Sequence, residues 1–317
     1  MQGTQYHNGI PFQASTPKKV WRKIRKTIVI DSRDRQFTPQ SSPGEYTVTL
    51  PAVYQNVYSA ALKSIEIPFS FYTFSADAEN TSISVTTGGT TAIITIQDGN
   101  YTASGLAAEL ETQLNDPAAG LTGTFDCTYS TVTSKLTITN DSSAFTLNIS
   151  DTDPANVNCG KATNFTYNTW QNLAYYLGFN QQSVTSTSIG GVQTVVGDFA
   201  MNPSPCTYFL MDVGILNKID ETALDNKKSG RVNGAFAKIP VNVNTGDYIF
   251  VLDTGTSPLN YRVYNPPISK LSQLQIKFRH HDGRILDFNG VEHSFTLEFE
   301  LLDNNFDEYS GAEFSQF

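Results

Sequence analysis

From Ser294 to Leu302 every second residue is large and apolar, Phe295, Leu297, Phe299 and Leu301, and Thr296, Glu298 and Glu300 fill the places between. That period of two suits an extended strand with one buried face and one face toward water. The texture returns at Thr27-Ile28-Val29-Ile30-Asp31, Tyr46-Thr47-Val48-Thr49-Leu50, Tyr208 to Val213, Ala235 to Val243, Tyr248 to Leu252 and Leu271 to Phe278. Turn chemistry separates these runs, at Ser41-Ser42-Pro43-Gly44, Asn244-Thr245-Gly246-Asp247 and His281-Asp282-Gly283-Arg284. With 16% charged and 12% aromatic residues, the chain is composed for strands and turns, not long helices. The expected fold class is mainly β, an antiparallel β-sandwich of about seven or eight strands. A β-α-β rhythm is absent, which argues against a parallel nucleotide-binding sheet.

The texture changes between residues 80 and 191. Ser82 to Val85 and Ala92 to Gln97 read as a hairpin pair closed by the Asp98-Gly99 turn signal. A helix follows, capped by Thr102 or Ser104, with Leu106, Leu110 and Leu114 on one face and an end near Asp116-Pro117. Strands are expected at Phe125 to Tyr129, Lys135 to Thr139 and Phe145 to Ile149, and a short helix at Trp170 to Leu177 ending on Gly178. Ser183 to Gly191 reads as an exit linker. The expected domains are an extended basic arm over 1–26, a sandwich from 27–79 and 192–317, and an inserted α+β lobe over 80–191.

Charge is distributed unevenly. The net charge is -9, yet Lys18, Lys19, Arg22, Lys23, Arg25 and Lys26 lie in an opening stretch of 26 residues without Asp or Glu. From Thr27 onward, 15 basic residues remain against 30 acidic ones. Such polarity marks an electrostatic contact tail. With Trp21 among its cations, the arm suits nucleic-acid phosphates, anionic lipid headgroups or an acidic face of a neighbouring subunit; the alternative is a solvated basic tail.

Cys127, Cys159 and Cys206 match no zinc or redox spacing, so a reduced intracellular site is expected. No apolar run is long enough to span a bilayer, and residues 1–20 lack the apolar centre of a secretory signal, which predicts a soluble chain outside the secretory route. The sequons at Asn80, Asn100, Asn140, Asn148 and Asn164 therefore carry little weight.

Catalytic patterns are scarce. There is no P-loop and no Gly-X-Ser-X-Gly elbow. His280, His281, Asp282 and His293 could be assembled around a metal, but adjacent histidines on a strand point to opposite faces, so a turn is the stronger reading. Glu298 and Glu300 lie about 7 Å apart on one strand face, within glycosidase range, but their alternation with buried apolar residues favours a solvated face. Neither a cofactor nor a metal is expected. The cluster Asp31-Ser32-Arg33-Asp34-Arg35 reads equally as an intersubunit salt-bridge node, with Asp31, Arg33, Asp34 and Arg35 as its charges, or as a solvated turn with local Asp caps.

Several motifs together resemble a known family. Ile28-Val29-Ile30-Asp31-Ser32-Arg33-Asp34-Arg35, Tyr46 to Pro51, and Leu62-Lys63-Ser64-Ile65-Glu66-Ile67-Pro68 are similar to the opening of minor capsid and penton-type proteins of large double-stranded DNA viruses. Asp98-Gly99-Asn100-Tyr101-Thr102 with its helix, and Leu173 to Phe179, resemble that family's insertion, with Tyr-Leu-Gly-Phe where the family has Leu-Leu-Gly-Phe. Leu274 to Phe278, Asp287-Phe288-Asn289-Gly290 and His293 to Glu298 resemble its closing strands, so the match spans roughly 27–302. The resemblance implies a jelly-roll fold, no catalysis and a place in an icosahedral capsid assembled in the host cytoplasm. The implied partners are a major capsid protein, copies of the chain itself in a pentamer, and other minor capsid proteins, with the arm turned to internal membrane lipid or nucleic acid. A pentameric vertex subunit and a cementing protein both fit. The rival from another class is a carbohydrate-binding or glycoside-processing sandwich domain at a virion or cell surface.

Overall fold

Two unusually long strands organise the larger part of the chain, Glu45–Pro68 and Tyr261–Arg279, of 24 and 19 residues. The computed structural model describes residues 5–7, 10–12, 22–149, 172–179, 183–204, 207–220, 234–253, 260–281 and 283–303. Its strands in chain order are β1 (Gln5–His7), β2 (Ile10–Phe12), β3 (Arg22–Asp31), β4 (Glu45–Pro68), β5 (Ser82–Thr87), β6 (Thr90–Thr95), β7 (Phe125–Tyr129), β8 (Leu136–Asn140), β9 (Phe145–Asn148), β10 (Val184–Thr185), β11 (Thr187–Ile189), β12 (Val192–Val196), β13 (Tyr208–Val213), β14 (Ala237–Pro240), β15 (Tyr248–Leu252), β16 (Tyr261–Arg279) and β17 (Ser294–Asp303). The helices are α1 (Ala103–Leu114) and α2 (Leu173–Tyr176).

The main sheet runs β14-β13-β16-β4-β17-β3, with β15 also on β4, and every pairing in it is antiparallel. Register shows how one sheet becomes two layers. The C-terminal part of β4 lies between β17 on one side and β15 with the start of β16 on the other. Its N-terminal part pairs with the end of β16, which carries β13 and then β14. At the joint, β4 advances from Thr49 to Tyr54 while β16 moves only from Gln273 to Leu271. A second irregularity lets β16 pass from Val263 to Ile268 against Ser59 and Val57. Extra residues of this kind bend a strand, and here they hold Pro51, Pro266 and Pro267, which cannot donate to a ladder.

Both layers turn their alternate residues into one core. Ile28, Ile30, Ile65, Ile67, Phe295, Leu297 and Phe299 come from the first layer, and Val48, Phe209, Met211, Ile239, Ile276 and Phe278 from the second. Phe278 meets Phe295 across the layers at 6.3 Å between ring centroids, and Phe71 meets Phe209 at 6.0 Å. The sandwich is thus mainly β and antiparallel. Gly44 sits where the second layer is tightest: a Cβ there would meet the Leu286 backbone oxygen, leaving no room for any side chain.

A second core gathers residues from Phe74 to Met201. It lies between the four-stranded sheets β10-β9-β5-β6 and β11-β12-β8-β7 and helix α1. The Thr102 hydroxyl caps α1 by accepting from the Gly105 N–H at 3.0 Å, and Leu106, Leu110 and Leu114 are buried as their spacing predicts. Asn115 ends the helix and ties it to β7, donating to the Phe125 carbonyl at 2.8 Å and accepting from its N–H at 2.9 Å. Gly178 follows α2 at φ +87°, a left-handed conformation in which an added Cβ would also lie 2.5 Å from the Phe199 oxygen.

Three expectations need correction. The sandwich begins at Arg22, not Thr27: Arg22, Lys23, Arg25 and Lys26 pair with Asp303, Leu302, Glu300 and Phe299 of β17, so they belong to an edge strand and not to the arm. Ser183 to Gly191 is not a linker, because β10 pairs with β9 and β11 pairs with β12. Residues 192–196, expected in the sandwich, pair with β8 of the lobe. The expected helix over Trp170 to Leu177 appears at Leu173–Tyr176, with Trp170 outside the described residues. Among the described residues no helix is long and apolar enough to cross a membrane.

Candidate assembly surface

The outer face of the first layer carries a patterned surface. Register aligns four rows across β15 or β16, β4, β17 and β3: Phe250, Glu66, Ser294 and Asp31; Leu252, Ser64, Thr296 and Val29; Tyr261, Ala61, Glu298 and Thr27; Val263, Ser59, Glu300 and Arg25. Polar side chains cross-link the middle of the face. Ser294 donates to Glu66 at 3.0 Å and Ser64 to Thr296 at 3.0 Å. Lys63 bridges to Asp253 at 2.7 Å and to Glu298 at 3.7 Å.

Glu300 is the hub of this face and departs from the solvated reading. It is 7% exposed and accepts from Lys23 at 3.2 Å, Arg25 at 3.3 Å, Ser59 at 3.1 Å and Tyr261 at 3.0 Å. Burial alone would raise its carboxyl, but bonds from Lys23, Tyr261 and Ser59 outweigh that and hold it below the usual range. The Lys23 ammonium also lies 4.2 Å from the Tyr58 ring centroid. With every neighbour a binder of the carboxylate, Glu300 is built as a structural anion.

Both margins of the face are apolar and open. Phe250 and Leu252 are 63% and 65% exposed, Tyr248 stacks on Phe250 with ring centroids 5.9 Å apart, and Tyr261 and Val263 continue the strip. Val29 on β3 is 71% exposed. Among the described residues β15 pairs only with β4, and β3 only with β17, so each margin is also a sheet edge. An exposed apolar edge strand is a template for another chain, and Arg22, Lys23, Arg25 and Lys26 charge the β3 edge in the way that restrains indiscriminate pairing.

The cluster at the end of β3 is engaged mostly within the chain. Asp31 caps the turn Ser32–Asp34 through the Arg33 N–H at 2.9 Å and also receives the Arg33 guanidinium at 2.9 and 2.6 Å. Those Arg33 hydrogen bonds, opposed by partial burial, keep the Asp31 carboxyl below its usual range. Arg35 reaches Glu292 at 2.6 Å and the Ser32 carbonyl at 2.7 Å, with its side chain only 10% exposed. Within the chain, Arg35 thus ties the turn after β3 to the residue pair just before β17. Arg33 and Asp34 remain exposed. Glu292, which sequence reasoning missed, is the partner; it lies beside His293 just before the alternating run.

His293 is 4% exposed and shares a bond of 2.8 Å between its Nε2 and the Pro43 carbonyl. Phe278, Phe288 and Tyr46 surround its ring at centroid distances of 4.7, 5.1 and 5.7 Å. Burial pushes the imidazole below its ordinary value, against the pull of the Pro43 carbonyl, Glu292 and Asp31. His280 and His281 instead lie near Phe71 and Tyr208, at 6.4 and 6.3 Å. No group of three metal-binding side chains occurs among the described residues, and Asp282 lies outside them. Lys18, Lys19 and Trp21 of the arm, Cys159, Cys206 and Asn164 lie outside as well. Four sequon asparagines are occupied by the fold: Asn80 donates to the Thr73 carbonyl, Asn100 to that of Phe71, Asn140 to that of Thr122 and Asn148 to the hydroxyls of Ser84 and Thr86.

No family model matches the chain. Over 105 residues it is 35% identical to penton capsid protein P1 of Paramecium bursaria Chlorella virus 1, a stretch covering 33% of this chain and 59% of that protein. The chain therefore matches about three fifths of the length of this relative. The crystal structure of the mavirus penton protein superposes with a TM-score of 0.45 and 9% identity, over 88% of this chain and 99% of that one. A chain from the cryo-electron-microscopy structure of the Sputnik virophage gives a TM-score of 0.39 and 12% identity, over 87% and 97%.

Proposed function

We propose that this chain is a structural virion protein, a penton or minor capsid subunit of an icosahedral large DNA virus, that works through contacts with copies of itself and with a major capsid protein and carries out no catalysis. The observation that carries the reading is the layered sandwich with two open edges, each bearing exposed apolar residues beside charges. Such margins are what lateral packing of subunits requires. The 35% identity to a penton capsid protein supports it, as does the sequence resemblance. On this reading the sandwich is a jelly roll and the lobe an insertion in it. Residues 1–21, with Lys18 and Lys19, reach to membrane lipid or nucleic acid inside the shell, and assembly takes place in the host cytoplasm.

The test is to co-express the chain with the major capsid protein of the same virus and to image the particles by cryo-electron microscopy. Density for the sandwich at the five-fold vertices is expected. A chain that stays monomeric by light scattering and leaves particles unchanged would remove the proposal.

A further inference from the structure

The two margins of the first layer differ in chemistry and match in size. β3 forms one of them with ten residues. At the other, β15 and the start of β16 together follow β4 from Pro68 to Ser59. At 3.4 Å per residue each margin is about 34 Å long. The outer side of the β15 margin has Tyr248, Phe250, Leu252, Tyr261 and Val263 in water and no charged residue. The β3 margin carries Arg22, Lys23, Arg25 and Lys26, all exposed, with Arg25 and the exposed Val29 on its outer side. Glu300 is one carboxylate for both Lys23 and Arg25, so this margin keeps a positive excess. Aromatic faces attract such cations, and large apolar side chains in water cost solvation free energy until something covers them.

Strand direction decides how two copies can meet. β3 is antiparallel to β17 and β17 to β4, so β3 runs with β4, whereas β15 runs against it. Copies related by rotation about an axis along the strands keep those directions. β15 of one copy then lies antiparallel beside β3 of the next, the arrangement that every ladder of this sheet already uses. With the rows of the two copies in line, Val29 of one stands beside Leu252 of the other. Arg25 then lies one diagonal step, about 7 Å, from Tyr261, within reach of a long side chain. Contacts between like margins are poorer. Two β3 margins would set the four cations of one copy against those of the other, and two β15 margins would leave both basic margins unmet.

We propose that the β3 margin of one copy docks beside the β15 margin of the next, with Val29 covering Leu252 and Phe250 and with Arg25 over the Tyr261 ring. The contact joins unlike surfaces, so it does not stop at a dimer, and a closing rotation makes it a ring. The inference rests on the reading of the chain as a capsid subunit that packs against copies of itself, and names which surfaces meet.

Cysteine cross-linking of the full chain tests it, in a C159S/C206S background with Cys127 left buried in its core. Opposed strand positions stand about 4.5–5.5 Å apart between Cα atoms, which a disulfide can span. Mixed under mild oxidation, V29C and L252C chains should give a linked pair several-fold more abundant than with either variant alone. V29C/L252C in one chain should give a ladder of linked copies. The same mixtures are oxidised both free and in particles co-assembled with the major capsid protein. Val29→Glu, at a site already in water, should remove the association while leaving the melting temperature unchanged. Linked pairs formed equally by one variant alone would overturn the inference in favour of a like-to-like contact. Chains that enter particles without linking these two sites would overturn it and leave the capsid reading standing. Chains that neither link nor enter particles would remove both.

Discussion

Replacing His293 with glutamine tests how the buried imidazole couples stability to pH. In the folded chain the ring is enclosed by Phe278, Phe288 and Tyr46, and its one hydrogen bond runs from Nε2 to the Pro43 carbonyl at 2.8 Å. That bond places the proton on Nε2 and leaves Nδ1 buried without a partner, so adding a second proton puts a charge where nothing solvates it. The folded value is therefore lowered while the unfolded one stays near 6.5. Above that value both states are neutral and the difference contributes nothing to the pH slope. As pH falls below it, the unfolded chain takes up the proton first, and stability declines by up to about 1.4 kcal/mol per pH unit until the folded imidazole also titrates. The carboxyls of Asp31, Glu292 and Glu300 are lowered too, but their contributions persist until pH falls below about 4.5, under the range in which the histidine effect is read. Glutamine keeps a donor for the Pro43 carbonyl and cannot charge. Urea unfolding between pH 5 and 7.5 should show a falling slope in the wild-type chain and a nearly flat profile in His293→Gln. Parallel slopes in the two proteins, or a flat wild-type profile, would refute the reasoning.

Phe278, fully buried among Phe209, Phe288, His293 and Phe295, should lose about 3–5 kcal/mol of stability on replacement by alanine, read from denaturant midpoints. Arg35→Ala removes the partner of the half-buried Glu292 and should cost about 1–3 kcal/mol, with Glu292→Gln milder, because the glutamine still accepts from Ser32. Deleting residues 1–21 should leave thermal stability unchanged, whereas deleting 1–26 strips half of β3 from β17 and should lower the melting temperature by several degrees, measured by calorimetry. Gly44→Ala should fail to accumulate as folded protein on expression, since its Cβ would collide with the Leu286 backbone.

What sequence reasoning reached was whatever short-range pattern decides. The helix at Ala103–Leu114 was legible because its Thr102 cap and leucine spacing are local, and β17 because its alternation is strict. What it missed came from pairing across long separations. Ser183 to Gly191 has the composition of a loop, and only its partners Thr146, Leu147 and the strand Val192–Val196 make it extended. The readings of the arm and of Glu300 failed together, for one cause. Taking Lys23 and Arg25 as mobile left Glu300 facing water, whereas placing them on an edge strand buries it. Ile24, Ile28 and Ile30 alternate with the charged and exposed positions and were the available signal. Asp31 and Arg33 form the local turn that was one of two readings the sequence left open, whereas Arg35 turned on Glu292, which lies 257 positions away.

Strands β4 and β16 belong to both layers at once, and this has a mechanical consequence. Neither layer can peel away while the other stays intact, because each would have to tear a backbone it shares, so the sandwich must lose its structure in one cooperative step. The lobe, with strands and a core of its own, is under no such obligation and can open while the sandwich holds. Force arriving at the β3 margin would cross the ladders to β17 and β4 and then follow the continuous peptide of β4 through its bend into the second layer, making the sandwich a stiff lever and leaving compliance to the lobe.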